Sequence, residues 1–90
     1  MAYKVTVVKK VVTDEELTDA GRAIFESYVE KGDIKHARTT EEGDNFVTEI
    51  WFDSEEAFNS YHEELKALGD FRADGVEVVS TDFSEEDAPS

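Results

Sequence analysis

The stretch from Asn45 to Leu68 constrains the fold more than any other part of the chain. It reads NFVTEIWF, then DS, then EEAFNSYHEELKAL, a strand feeding into a helix. Phe46, Thr48, Ile50 and Phe52 alternate with Val47, Glu49, Trp51 and Asp53, which puts large apolar groups on both faces of the strand. A strand with one face in water alternates cleanly between apolar and polar residues, so both faces of this one are expected to be covered. Asp53 or Ser54 can cap the helix, and Asp53 with Glu56 has capping-box spacing. Phe58, Tyr61, Leu65 and Leu68 recur at helical spacing, and Gly69 follows where a C-terminal glycine belongs.

The remaining elements arrange themselves around this unit. Tyr3 to Val12 alternates as a first strand, with a break at Lys9-Lys10 that fits either a bulge or the strand's end. Thr13 with Glu16 forms a capping box for a first helix, whose stripe is Leu17, Ala20, Gly21, Ile24, Phe25 and Tyr28, with Val29 at its edge. Gly32 stops that helix. Ile34 to Thr40 is a second strand, Glu41 to Asn45 a turn, Gly69 to Gly75 a loop, and Val76 to Phe83 a last strand. The order strand, helix, strand, strand, helix, strand predicts an α+β, ferredoxin-like βαββαβ fold. Its four-stranded antiparallel sheet carries both helices on one face. Residues 1–83 form a single domain of this kind, and 84–90, an acidic tail with nothing to bury, is expected to be disordered.

Charge bounds the function. The chain has 23 acidic residues against 9 basic ones, a formal net charge of −14. Such a surface repels phosphate backbones and anionic lipid, so neither nucleic acid nor a membrane is expected as a partner. No apolar run reaches the roughly 18 residues that span a bilayer. There is no cysteine for disulfides or thiolate metal sites. The expected location is cytoplasmic, or the host cytoplasm for a viral protein. Val5, Val8, Val47, Trp51, Val76 and Val79 supply apolar groups at both strand parities, and one short chain has no second layer to cover the sheet's outer face. The expected partner is therefore a second copy, in a homodimer packed through the sheet face.

Few residues bear chemistry. Trp51, the sole tryptophan, can line a pocket or pack an interface. His62, beside the second helix's apolar stripe, can act as a general base. Tyr28 and Tyr61 point from the two helices toward the sheet and can orient a quinone-like ligand. Arg38 and Arg72 can hold an anionic or enolate-like group, since arginine binds carboxylates in bidentate fashion. Packing and surface ion pairing remain the competing readings of these residues. His36, His62 and Glu49 bear metal-ligating atoms, but they come from different elements without short ligand spacing, and no metal site is expected.

The pattern resembles the dimeric α/β-barrel superfamily, and within it the antibiotic biosynthesis monooxygenase-like domains. The residues that carry the resemblance are Glu49-Ile50-Trp51, the acidic cap Asp53-Ser54-Glu55-Glu56, Ala57-Phe58 and His62. Aligning the helix on Ala57-Phe58 instead puts Phe52 and Tyr61 at the tryptophan and histidine positions. The resemblance implies a dimeric barrel with a pocket between sheet and helices. Its quinol- and anthrone-oxidising members use neither metal nor flavin, so no cofactor is expected. The first strand lacks the asparagine of haem-degrading members, which argues against haem breakdown. On this basis the expected function is cofactor-free monooxygenation, or binding, of a small aromatic molecule. Trp51 and His62 are the catalytic candidates, and Tyr61, Tyr28, Phe52, Arg38 and Arg72 the ligand-binding ones. The alternative is a non-catalytic accessory protein, viral in origin, that uses the fold as a scaffold for interaction.

Overall fold

A computed structural model describes residues 2–11, 18–69 and 76–89. The elements are β1 (Tyr3–Val11), α1 (Asp19–Lys31), β2 (Ile34–Glu42), β3 (Asn45–Phe52), α2 (Glu55–Leu68) and β4 (Val76–Glu85). The four strands form one antiparallel sheet in the order β2-β3-β1-β4, the ferredoxin-like arrangement that the element order predicts.

Local chemistry sets the helix ends. Thr18 has extended backbone, and its Oγ1 accepts from the Gly21 N–H at 3.3 Å, so α1 begins at Asp19 rather than at Thr13. The capping box expected at Thr13 and Glu16 lies outside the described residues. Gly32 ends α1 with φ 86°, where its N–H reaches the Tyr28 and Val29 carbonyls. Ser54, not Asp53, caps α2, its Oγ accepting from the Ala57 N–H at 3.1 Å. Asp53 instead pairs with Lys35 at 3.3 Å, so the Asp53–Glu56 capping box does not form. Gly43, with φ 62°, starts the two-residue hairpin between β2 and β3, a position that requires left-handed backbone.

Antiparallel register places paired residues on the same face. On the helix side the sheet is built in rows. The first is Ile34, Phe52 and Tyr3, and the second Ala37, Ile50, Val5 and Phe83. The third is Thr39, Thr48, Val7 and Thr81, and the fourth brings Lys9 beside Phe46 and Val78. Helix residues Tyr28, Tyr61 and Leu65 pack on the first rows, with Phe52 fully buried at the centre. Phe58, Tyr61 and Phe52 make edge or tilted ring contacts at 5.4 Å. Ile24 and Phe25 are half-buried against this core, while Val29 and Leu68 are exposed. Leu68 thus falls off the stripe assigned to it.

Two strand features differ from the expected pattern. The irregularity near Lys9 belongs to β4. Val8 pairs with Ser80 and Lys9 with Val78, which leaves Val79 as the extra residue of a bulge while β1 continues to Val11. At the other end, β4 runs two residues beyond Phe83. The Glu86 N–H then donates to the Ala2 carbonyl at 3.0 Å, and the Glu86 carboxylate meets Lys4 at 2.9 Å. The start of the acidic segment is therefore tied to β1.

Candidate functional site: a cavity between the sheet and the helices

Between the helix-facing side of the sheet and the two helices lies a cavity of about 820 Å³. Ligand pockets commonly measure about 300–1,000 Å³. Every strand contributes to its wall, and α1 and α2 contribute Phe25, Phe58, Tyr61 and Leu65. Phe25, Phe58 and Leu65 pack against the core and border the space without filling it. The sheet rows explain its two characters. Val5, Ile50, Phe52, Phe58 and Phe83 make an apolar end, and the threonine row and Lys9 make a polar one. The Thr39 and Thr48 hydroxyls are 3.0 Å apart, bonded to one another across the strands. Lys9 is buried, at 7 % exposure, and Arg22 joins it from the first turns of α1.

The candidate residues divide between this cavity and other places. Tyr61 and Phe52 line it, as does His62, whose ring stacks on Phe58 with centroids 5.6 Å apart. Tyr28 lies beside it in the core. Its ring meets Tyr61 edge-on at 5.3 Å, and its hydroxyl donates to Glu64 Oε2. Burial, and then the Glu64 carboxylate, push the Tyr28 phenol up to about 12. Arg72 lies outside the described residues.

Trp51 and Arg38 are on the other side of the sheet. Trp51 pairs with Lys4 and His36, and Glu49 pairs with Arg38 and Thr6, all on the outer face. The Lys4 ammonium and the Arg38 guanidinium each lie 5.2 Å from the Trp51 ring centroid, and the His36 ring is also 5.2 Å away. Glu49 binds both cations, Lys4 and Arg38, at 2.7 Å each. Its hydrogen bonds from Arg38 and then Lys4 hold the Glu49 carboxyl down at about 2. Trp51 is 2 % exposed beneath this network, and its indole N–H has no acceptor among the described residues.

This corrects the expected apolar outer face. Val5 and Val76 belong to the helix side by register, and Trp51 is covered within its own chain. Val8 and Val47, paired with one another, stay on the outer face beside a charged network, and Val79, the extra residue of the bulge, is 52 % exposed. It also removes Trp51 from the cavity, so Trp51 and His62 are not brought together. Arg38 borders the cavity, but its guanidinium is bonded to Glu49 on the opposite face.

Sequence reasoning passed over Lys9 and Arg22. The signal for Lys9 was its parity with Val5 and Val7, which places it on the helix side of β1. Among the described residues, no group of three or more histidine and carboxylate side chains is placed to hold a metal. No described helix is long and apolar enough to cross a membrane. Compared with known proteins, the chain matches no family model, no curated protein and no solved structure.

Proposed function

We propose that the chain binds a small, mostly apolar aromatic molecule in the cavity between sheet and helices, in the manner of the antibiotic biosynthesis monooxygenase-like domains. The observation that carries this reading is the 820 Å³ space lined by Phe25, Phe52, Phe58, Phe83 and Tyr61. Phe83, half exposed at its edge, leaves this apolar space open to a ligand arriving from solvent. In the catalytic version of this reading, His62 accepts a proton from a phenol-type substrate at the cavity wall, and molecular oxygen is the co-substrate with no metal or flavin. A non-catalytic scaffold calls for a filled core, and an open cavity with polar groups at one end weighs against it.

We also propose that two copies associate through the outer sheet face, with the Val8–Val47 pair at the contact and the Lys4–Glu49–Arg38 network beside it. Oppositely charged groups arranged in this way would set the register of a two-fold contact.

The cavity reading is tested with N-phenylnaphthylamine, a neutral aromatic probe whose fluorescence rises in apolar surroundings. The expected result is saturable binding of one probe per chain, lost in Ala37→Phe, which places a ring inside the cavity. Absence of saturable binding by the folded wild-type protein overturns the reading.

A further inference from the structure

We infer that β4 is a docking edge for an extended basic segment of another protein, which adds to the sheet beside Ser80–Glu85 as a fifth strand. In the order β2-β3-β1-β4, the last strand pairs with β1 alone. Among the described residues, no backbone group outside the sheet bonds to its free side. Alternate residues of such an edge present an N–H and a carbonyl outward, a template for a further strand. The bulge at Val79 ends before Ser80, and Ser80–Glu85 then runs in unbroken register against Val8–Tyr3. That is a usual strand length. Sheet edges are commonly blunted by lysine or proline, and this stretch has neither. Docking here does not depend on a cavity ligand.

Side chains on the two faces of β4 specify the partner. Val78, Val79 and Phe83 are all exposed on this one strand. The Phe83 ring stacks on Tyr3 at 5.9 Å and meets Phe58 edge-on at 5.4 Å, yet the residue is 51 % exposed. Packing toward β1 and α2 fixes the ring and leaves its uncovered side for a cross-strand neighbour, which calls for an apolar residue opposite Phe83. Asp82 has the other parity and stands on the outer face. From Val76 to Ser90 the chain carries Glu77, Asp82, Glu85, Glu86 and Asp87, with no lysine, arginine or histidine. Glu86 binds Lys4, but Asp82 and Glu85 form no ion pair among the described residues. A second copy would bring another strand of the same sign to this edge. A segment that alternates basic and apolar residues instead sets its cations beside Asp82 and its apolar groups beside Phe83. The chain's formal charge of −14 steers such a segment inward.

The test uses a fluorescein-labelled peptide of alternating lysine and valine, followed by fluorescence anisotropy. The wild-type protein is expected to bind it saturably, and less tightly with added salt, while amide hydrogen exchange slows at Ser80–Glu85. Two further peptides are N-methylated, one at the lysines and one at the valines. One of them loses its pairing edge and should bind about tenfold more weakly or worse, and the other should retain binding. Asp82→Lys is expected to weaken the unmethylated peptide about fivefold. Glu63→Lys, an equal change of charge at an exposed position of α2, should weaken it less than about twofold. Equal affinity of the two methylated peptides, or equal weakening by the two variants, means charge attraction without strand addition and overturns the inference. Absence of saturable binding overturns it too. Protection of Ser80–Glu85 that grows with protein concentration, without peptide, puts a second copy on this edge and also overturns it. If Asp82→Lys does not fold by circular dichroism, the methylated pair decides the case.

Discussion

The Arg38 Nε donates to Glu49 Oε1 at 2.7 Å while its guanidinium lies 5.2 Å from the Trp51 ring centroid. Lys4 reaches the other Glu49 oxygen at 2.7 Å from the neighbouring strand. One carboxylate therefore ties β2 to β1 across β3 and closes a polar lid over a tryptophan. Glu49→Gln keeps the shape but removes the charge, and we expect a loss of about 1–2 kcal/mol at neutral pH by urea unfolding. The pH dependence has a definite sign. Glu49 titrates lower in the folded chain, at about 2 against 4.5, so its stabilisation is complete above 4.5 and disappears as pH falls toward 2. The stability gap between wild type and Glu49→Gln should narrow over that window. A gap that stays constant down to pH 2 would refute the assignment.

Tyr28 and Glu64 give an effect at the alkaline end. The Tyr28 phenol is held up at about 12, from 10.0, by burial and by Glu64. Its contribution to stability is present below pH 10 and lost as pH rises through 12. Absorbance titration should show a late-ionising tyrosine that is absent in Tyr28→Phe. Tyr3 is also raised, by burial and by Glu55 and Glu85, so the variant makes the assignment. Loss of the hydroxyl should cost about 1 kcal/mol at pH 7.

The two catalytic candidates lie on opposite sides of the sheet, and their variants should separate. His62→Ala opens the cavity wall beside Phe58 and should weaken neutral-probe binding several-fold. Trp51→Phe should leave that binding within about twofold while lowering stability by about 1–3 kcal/mol, because the larger indole fills space under Lys4 and Arg38. Equal loss of probe binding in both variants would contradict the geometry.

Self-association through the outer face predicts a solution mass near twice 10.1 kDa by light scattering. Val47→Glu puts a carboxylate on that face opposite Val8 without touching the cavity. It should return the mass to that of one chain and leave probe binding intact. A wild-type mass of one chain at low and high salt would exclude this contact. Trp51→Ala is a weaker test, since Trp51 is already 2 % exposed in a single chain.

The element order, the strand parities and the glycine stops at Gly32 and Gly69 were legible in the sequence. Each depends on neighbours within a few residues: a period of two or 3.6, a capping hydroxyl, or a left-handed glycine. Strand parity alone also grouped Phe46, Thr48, Ile50 and Phe52 on one face, and that face meets the helices. Parity could not say what covers the other face. That was decided by which residues the register sets side by side. Lys4, His36 and Arg38 come from two flanking strands, far apart in sequence, and converge on Trp51 from β3. Long side chains can cover an aromatic ring as well as a second protein layer can, and nothing in local sequence distinguishes the two. The cavity is likewise tertiary. Phe25, Phe58 and Leu65 pack against the sheet's first rows, and how the helices rest on the strands decides that a space stays open beside them. Lys9 had the parity of a core residue and the charge of a surface one. The sequence held both facts, and only the fold placed that charge at the end of an apolar recess.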